Sequence, residues 1–165
     1  MAKIERKYLA HYINTAVPTA STAVYERLGK DLEEFSPELS AQVDKKKNIL
    51  GETTVTISSY EKSAAVEPYY AEVGSGLFTR LQAIVDGDLV LDDLKTDVVE
   101  VKLWETPTND TKYPAVKEEA YIEVTSYGGD TTGYQIPFTV HYTGVKVAGT
   151  FDVSSKTFTA TTASS

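Results

Sequence analysis

Leu39-Ser40-Ala41-Gln42-Val43-Asp44-Lys45-Lys46-Lys47-Asn48-Ile49-Leu50-Gly51-Glu52-Thr53-Thr54-Val55-Thr56-Ile57-Ser58-Ser59-Tyr60 is the stretch from which the fold of this chain is read. Its two flanks alternate with period two, as a strand with one buried face must. Leu39, Ala41 and Val43 point one way, and Ser40, Gln42 and Asp44 the other. On the second flank Val55 and Ile57 oppose Thr54, Thr56 and Ser58. The expected connector is a seven-residue loop, Lys45-Lys46-Lys47-Asn48-Ile49-Leu50-Gly51, not a two-residue turn. An apolar pair at a solvated tip needs a partner surface, because exposed loops otherwise carry polar residues. Ile49-Leu50 either folds back on its own core or reaches into a neighbouring copy.

Outward from the hairpin, one helix is expected. After Gly74-Ser75-Gly76, apolar residues at Leu77, Phe78, Leu81, Ile84 and Val85 form one stripe at helical spacing, with Ser75 as N-cap and Gly87 as the left-handed terminator. Tyr25–Leu28 reads as a short strand. From Thr96 the period returns to two: Val99, Val101 and Leu103; Ala120, Ile122 and Val124; Tyr134, Ile136, Phe138, Val140 and Tyr142. Val145–Phe151 and Thr157–Ala160 form a last hairpin, and Pro137 marks a bulge, an edge or a strand start. The connector from Thr106 to Lys117, with two prolines, is expected to be exposed. Seven or eight strands and one helix predict a mainly β fold, an antiparallel β-sandwich or barrel with one flanking α-helix. The chain reads as one domain, 1–165. It comprises an N-terminal arm or loop (1–24), the long hairpin (39–60), the helix (75–87), and a C-terminal hairpin strand and tail (153–165).

The totals limit the function classes. The 165 residues are 41% hydrophobic and 24% charged, ordinary for a globular domain, and folding should bury roughly 70% of the extended-chain surface. No apolar run approaches the roughly 20 residues that span a bilayer, and Met1–Lys7 has charge without an apolar run behind it, so neither membrane nor secretory signal is expected. The absence of cysteine excludes disulfides and thiolate metal sites. The expected setting is a cytosol, or a particle assembled within one. Net charge is −8; residues 48 to 100 hold ten acids against three bases, whereas residues 1 to 47 hold seven against eight. Backbone binding to nucleic acid needs clustered Lys and Arg, so a DNA-holding module is disfavoured while a protein sitting beside DNA is not.

No catalytic constellation is visible, and neither enzyme activity nor a cofactor is expected. The two histidines, His11 and His141, sit in no recognisable motif. Gly74-Ser75-Gly76 lacks the Lys-Ser/Thr of a phosphate loop. Asp86-Gly87-Asp88 with Asp92-Asp93 invites a calcium reading, but Val90 and Leu91 fall where an EF-hand loop needs an oxygen ligand and a glycine. The polar strand faces are more informative: Ser40, Gln42, Thr54, Thr56, Ser58, Thr125, Gln135 and Thr139 are short and uncharged, with Asp44 and Glu123 among them. Threonine has high strand propensity, which accounts for part of this pattern. A surface along which a polyanion slides would also lack Lys and Arg, since each phosphate contact adds drag through ion release.

Several blocks of the chain resemble one family. They are Tyr25-Glu26-Arg27-Leu28-Gly29-Lys30-Asp31-Leu32-Glu33-Glu34-Phe35, Lys46-Lys47-Asn48-Ile49-Leu50-Gly51-Glu52-Thr53, Val66-Glu67-Pro68-Tyr69-Tyr70, Leu94-Lys95-Thr96 with Val98-Val99-Glu100-Val101, and Ser126-Tyr127-Gly128-Gly129-Asp130-Thr131-Thr132-Gly133-Tyr134-Gln135-Ile136-Pro137-Phe138. Together they look like the tail tube (major tail) proteins of long-tailed bacteriophages; the N-terminal arm and Thr111–Ala115 match least. The resemblance implies six-fold rings stacked into a hollow tube through which phage DNA passes without sequence-specific binding. It implies homo-hexameric self-assembly, contacts with tape measure, tail terminator and distal tail proteins, and a virion location after assembly in the host cytoplasm. It makes Lys45, Lys46, Lys47, Asn48, Ile49, Leu50 and Gly51 inter-subunit or inter-ring contacts, the lysines meeting an acidic belt over residues 86 to 97. It makes Gln42, Asp44, Thr54, Thr56, Ser58, Glu123 and Thr125 lumen-facing. Two other readings stay open: a carbohydrate-binding or adhesin-like sandwich using Tyr69 and Tyr70 among its eleven tyrosines, and a single-ring terminator or baseplate protein.

Overall fold

The strand patterning is realised as eleven strands and one helix in a computed structural model that describes residues 2–30 and 32–161, so the last four residues of the expected tail lie outside it. In chain order the elements are β1 (Leu9–Asn14), β2 (Tyr25–Leu28), β3 (Ala41–Lys47), β4 (Thr53–Tyr60), β5 (Ser63–Val66), α1 (Gly76–Gly87), β6 (Lys95–Lys102), β7 (Lys112–Val124), β8 (Gly128–Asp130), β9 (Gly133–Gln135), β10 (Phe138–Asp152) and β11 (Thr157–Ala160). The main sheet has the order β11-β10-β7-β6-β1-β2, with β5 also on β10, and every pairing in it is antiparallel. The fold is mainly β with one flanking helix, as expected.

Curvature comes from β10. Tyr142 faces Ala120 and Lys146 faces Glu118, so four steps along β10 oppose two along β7. Gly144, at φ +92°, supplies the left-handed residue in this bulge. A bulge bends its strand and increases twist. Before it, the other edge of β10 pairs with β5; after it, with β11. The sheet thus curls into a half-barrel and buries both faces. On one face Leu77, Leu81 and Ile84 of α1 cover Ile13, Val98, Ile122, Phe138 and Val140. On the other, Tyr12 and Tyr25 close on Phe151, with ring centroids 4.4 and 5.7 Å apart. Each such ring contributes about 1.5–3 kcal/mol by leaving water.

Ser75 caps α1 as expected, its Oγ accepting from Phe78 N at 3.4 Å, and Glu26 of β2 completes the cap by accepting from Ser75 Oγ and Leu77 N. A carboxylate at that end also suits the helix dipole. The left-handed terminator is Asp88, at φ +47°, one residue beyond the expected Gly87. Arg80 lies within the buried side of the stripe, where its guanidinium donates to the carbonyls of Ala16, Asp93 and Lys95.

Three further expectations change. Residues 9 to 14, inside the expected arm, form a sheet strand between β6 and β2 with Ala10, Tyr12 and Ile13 buried; 15–24 remain a loop. The expected connector 106–117 is strand from Lys112 onward. Pro114 is tolerated there because the β6–β7 ladder ends at Val101–Ala115, leaving its missing N–H without a partner to lose. The expected strands Tyr134–Tyr142 and Val145–Phe151 divide differently: Tyr134 and Gln135 belong to β9, whereas β10 starts immediately after Pro137 and runs on through Phe151.

Candidate assembly interface

The hairpin β3–β4 is a sheet of its own. Its lysines belong to the strand and not to a loop: Lys45, Lys46 and Lys47 pair with Val55, Thr54 and Thr53, which corrects the expected seven-residue connector. The turn shrinks to Asn48–Glu52, and Asn48 organises it. Its Oδ1 accepts from Leu50 N at 2.9 Å and Glu52 N at 3.0 Å, its Nδ2 donates to Glu52 Oε2 at 2.9 Å, and its own N donates to Glu52 O. Gly51 follows at φ +83°. Asparagine suits this role because its short amide bridges nearby backbone groups. The tip is therefore built to present Ile49 and Leu50 outward, at 102% and 77% exposure. They do not fold back on their own core.

Both strands are exposed along their full length, which corrects the expected buried face: no second layer lies over the ribbon. The register places Val43 against Ile57 and Lys45 against Val55, so these share a face, with Ala41 and Tyr60 beyond a bulge; Asp44, Thr56, Lys46 and Thr54 share the other. The ribbon is amphipathic, with Val43, Val55, Ile57 and Tyr60 each more than half exposed. A two-stranded ribbon with no layer on its apolar face is marginal in water. It leaves the body where Glu38 and Ser63 exchange backbone hydrogen bonds at 2.7 and 3.0 Å, beside β5.

The lumen candidates divide. Gln42, Asp44, Thr54 and Thr56 lie together on the polar face, and Ser58 lies at the bulge, its Oγ 3.5 Å from Gln42 O. Glu123 and Thr125 belong to the main sheet region instead; Glu123 lies 2.6 Å from His141 Nε2, and Thr125 donates to Pro137 O. The hairpin's apolar face, including Tyr60, was legible as alternation but read as the ordinary buried side of a strand. Of the tyrosines considered as a sugar platform, Tyr69 is partly buried edge-on against Phe138, and Tyr70 Oη lies near Thr132 Oγ1.

A polar cavity of about 150 Å³ sits within the main sheet region, lined by His11, Lys62, Glu100, Glu118 and Tyr142 among others. Lys62 Nζ lies 2.8 Å from Glu118 and 4.5 Å above the Tyr142 ring. Burial, reinforced by Glu118 and Glu100, pushes the Tyr142 hydroxyl well above its ordinary range. His11 Nε2 lies 3.4 Å from Glu100 Oε2, too poorly aligned to satisfy the buried ring nitrogen. The ring's proximity nevertheless holds the Glu100 carboxyl below its ordinary range, against the opposing effect of burial. These groups fasten the body; the hairpin is left for something else. Among the described residues, no helix is long and apolar enough to cross a membrane. No family model and no curated protein matches the chain.

Proposed function

We propose that the chain is a structural subunit that polymerises with copies of itself as stacked hexameric rings, forming the hollow tail tube of a long-tailed phage and conducting DNA during ejection. The observation that carries this reading is the hairpin. It exposes an apolar face along one side and a preorganised apolar tip at its end, and such surface is what association with further copies buries. The end strands of the sheet, β2 and β11, are further support, because a strand at the end of a sheet can continue it into a neighbour. The polar ribbon face, with Gln42, Asp44, Thr54 and Thr56 against a single Lys46, suits a wall that phosphates pass without being held. The role requires no catalysis and no cofactor.

Electron microscopy of the purified full chain over a concentration series, alone and with its tail partners, tests the reading. Rings or tubes with a central channel are expected. Compact monomers at every concentration would refute it.

A further inference from the structure

The hairpin meets the body through a narrow root. Among the described residues β3 and β4 form a ladder only with each other, and the body holds them by the two backbone bonds that Glu38 and Ser63 exchange. Next to that rung Glu61 N donates to Ser40 O at 3.2 Å, and Ser40 stands at φ +39°, in the left-handed region. A serine held there is strained and persists only where its surroundings impose the conformation. Rungs of this kind keep two strands together. They do not fix the angle of a ribbon to the sheet behind it.

Lys62 supplies what the rung lacks. It lies between the end of β4 and the start of β5, and its side chain turns inward into the polar cavity of the main sheet. Its Nζ lies 2.8 Å from Glu118 Oε1 and 4.5 Å above the Tyr142 ring, with the Lys62 and Glu118 side chains only 16% and 5% exposed. The backbone is fixed at the same place, since Tyr142 N donates to Lys62 O at 2.9 Å. Glu118 and Tyr142 belong to the bulged part of the β7–β10 ladder, where Tyr142 faces Ala120 and Glu118 faces Lys146. The leading leg of the hairpin is seated nearby. Phe35 packs edge-on against His11, with centroids 4.7 Å apart, and Arg6 donates to Phe35 O at 2.8 Å. His11 lines the same cavity, so the segments before and after the hairpin are both tied to one polar chamber. Among the described residues Glu118 has no other ion-pair partner, and release of Lys62 would leave an almost fully buried carboxylate uncompensated.

We propose that Lys62 is a latch: its buried pair with Glu118 fixes the angle at which the hairpin leaves the body. A buried ion pair suits this role because moving either group strands the other charge. Lys62 is a positioning residue, acting through the ribbon that it orients. The latch works within one chain and in the absence of any other copy, so it stands apart from the self-assembly reading.

The chain has no cysteine, so pairs of spin labels can be placed without interference. Thr54→Cys with Ser126→Cys reports the hairpin against the body, and Ser126→Cys with Ser154→Cys reports the body alone; all three positions are exposed. Thr54 stands six residues from the end of β4, roughly 20 Å out along the ribbon, so a swing of about 20° at the root displaces it by roughly 7 Å. Pulsed electron spin resonance on the dilute, full-length chain compares the parent, Lys62→Met, and Lys62→Met combined with Glu118→Gln. The double variant leaves no charge stranded, and it keeps the test valid if the single variant fails to fold. Both variants are expected to widen the hairpin-to-body distance distribution by roughly 7 Å while the body pair keeps its parental width. Equal hairpin-to-body widths in the parent and the double variant would overturn the proposal. A body pair that broadens as much as the hairpin pair would overturn it too, because the ion pair would then be a general fastening of the sheet and not a latch on the ribbon.

Discussion

Ile49→Ala tests the hairpin most directly, because its effect on assembly and its effect on folding should separate completely. In the free chain Ile49 is 102% exposed and Leu50 77%, so neither side chain contributes packing to its own fold. Truncation to alanine should leave the unfolding free energy of the monomer in urea within about 0.5 kcal/mol of the parent. At a contact with a neighbour the same change removes three carbons from a buried site, at about 0.8 kcal/mol each, or roughly 2.4 kcal/mol per incoming copy. With tenfold for each 1.4 kcal/mol, the critical concentration should rise roughly fifty-fold. Ile49→Asp adds the cost of removing a carboxylate from water and should abolish polymer at accessible concentrations. Sedimentation or light scattering against concentration gives the first quantity, and urea unfolding gives the second. An unchanged critical concentration would refute the reasoning. So would a loss of polymer accompanied by more than about 1 kcal/mol of monomer destabilisation, which would place Ile49 in its own fold.

Other expectations follow from the polar face, the helix and the cavity. Gln42→Lys or Thr56→Lys should slow DNA ejection more at low salt than at high salt, because added lysines recruit phosphates by releasing counterions; a salt-independent effect would remove the lumen assignment. Arg80→Ala should lower the free energy of unfolding in urea by roughly 2–4 kcal/mol, since it removes a buried side chain and its hydrogen bonds to the carbonyls of Ala16, Asp93 and Lys95. Glu100 contributes stability that is present above its ordinary value of 4.5 and is lost as pH falls through its lower value in the folded chain. Glu100→Gln should therefore flatten the acid limb of stability below about pH 4.5, read as urea midpoints against pH; an unchanged acid limb would contradict the assigned role of His11.

Much of the body was legible because its strands alternate and its helix repeats at helical spacing. Val99 and Val101, Ala120 and Ile122, and the Ser75 cap appear where periodicity puts them. Val98 did not, because a curled sheet buries both faces and so erases the contrast on which alternation depends. β1 was missed for the same reason, with buried residues on both sides of the strand. Arg80 looked like a polar break in an apolar stripe; only tertiary structure supplies the three carbonyls that bury it. The lysine run read as loop because charge is commonest there, yet in the ribbon neither face is covered and the pairing continues through it. The apolar tip was therefore visible in the sequence, whereas the ribbon that carries it, paired through the lysines and uncovered on both faces, was not.

The uncovered ribbon has a kinetic consequence. A lone hairpin without a second layer has shallow order, so the first encounter between two free copies must organise both partners before it returns any burial. In the proposed polymer a finished end has already ordered its own ribbons, and only the newcomer has ordering to do. On the proposed assembly, growth from a template should outrun spontaneous initiation, with a lag that short seeds eliminate.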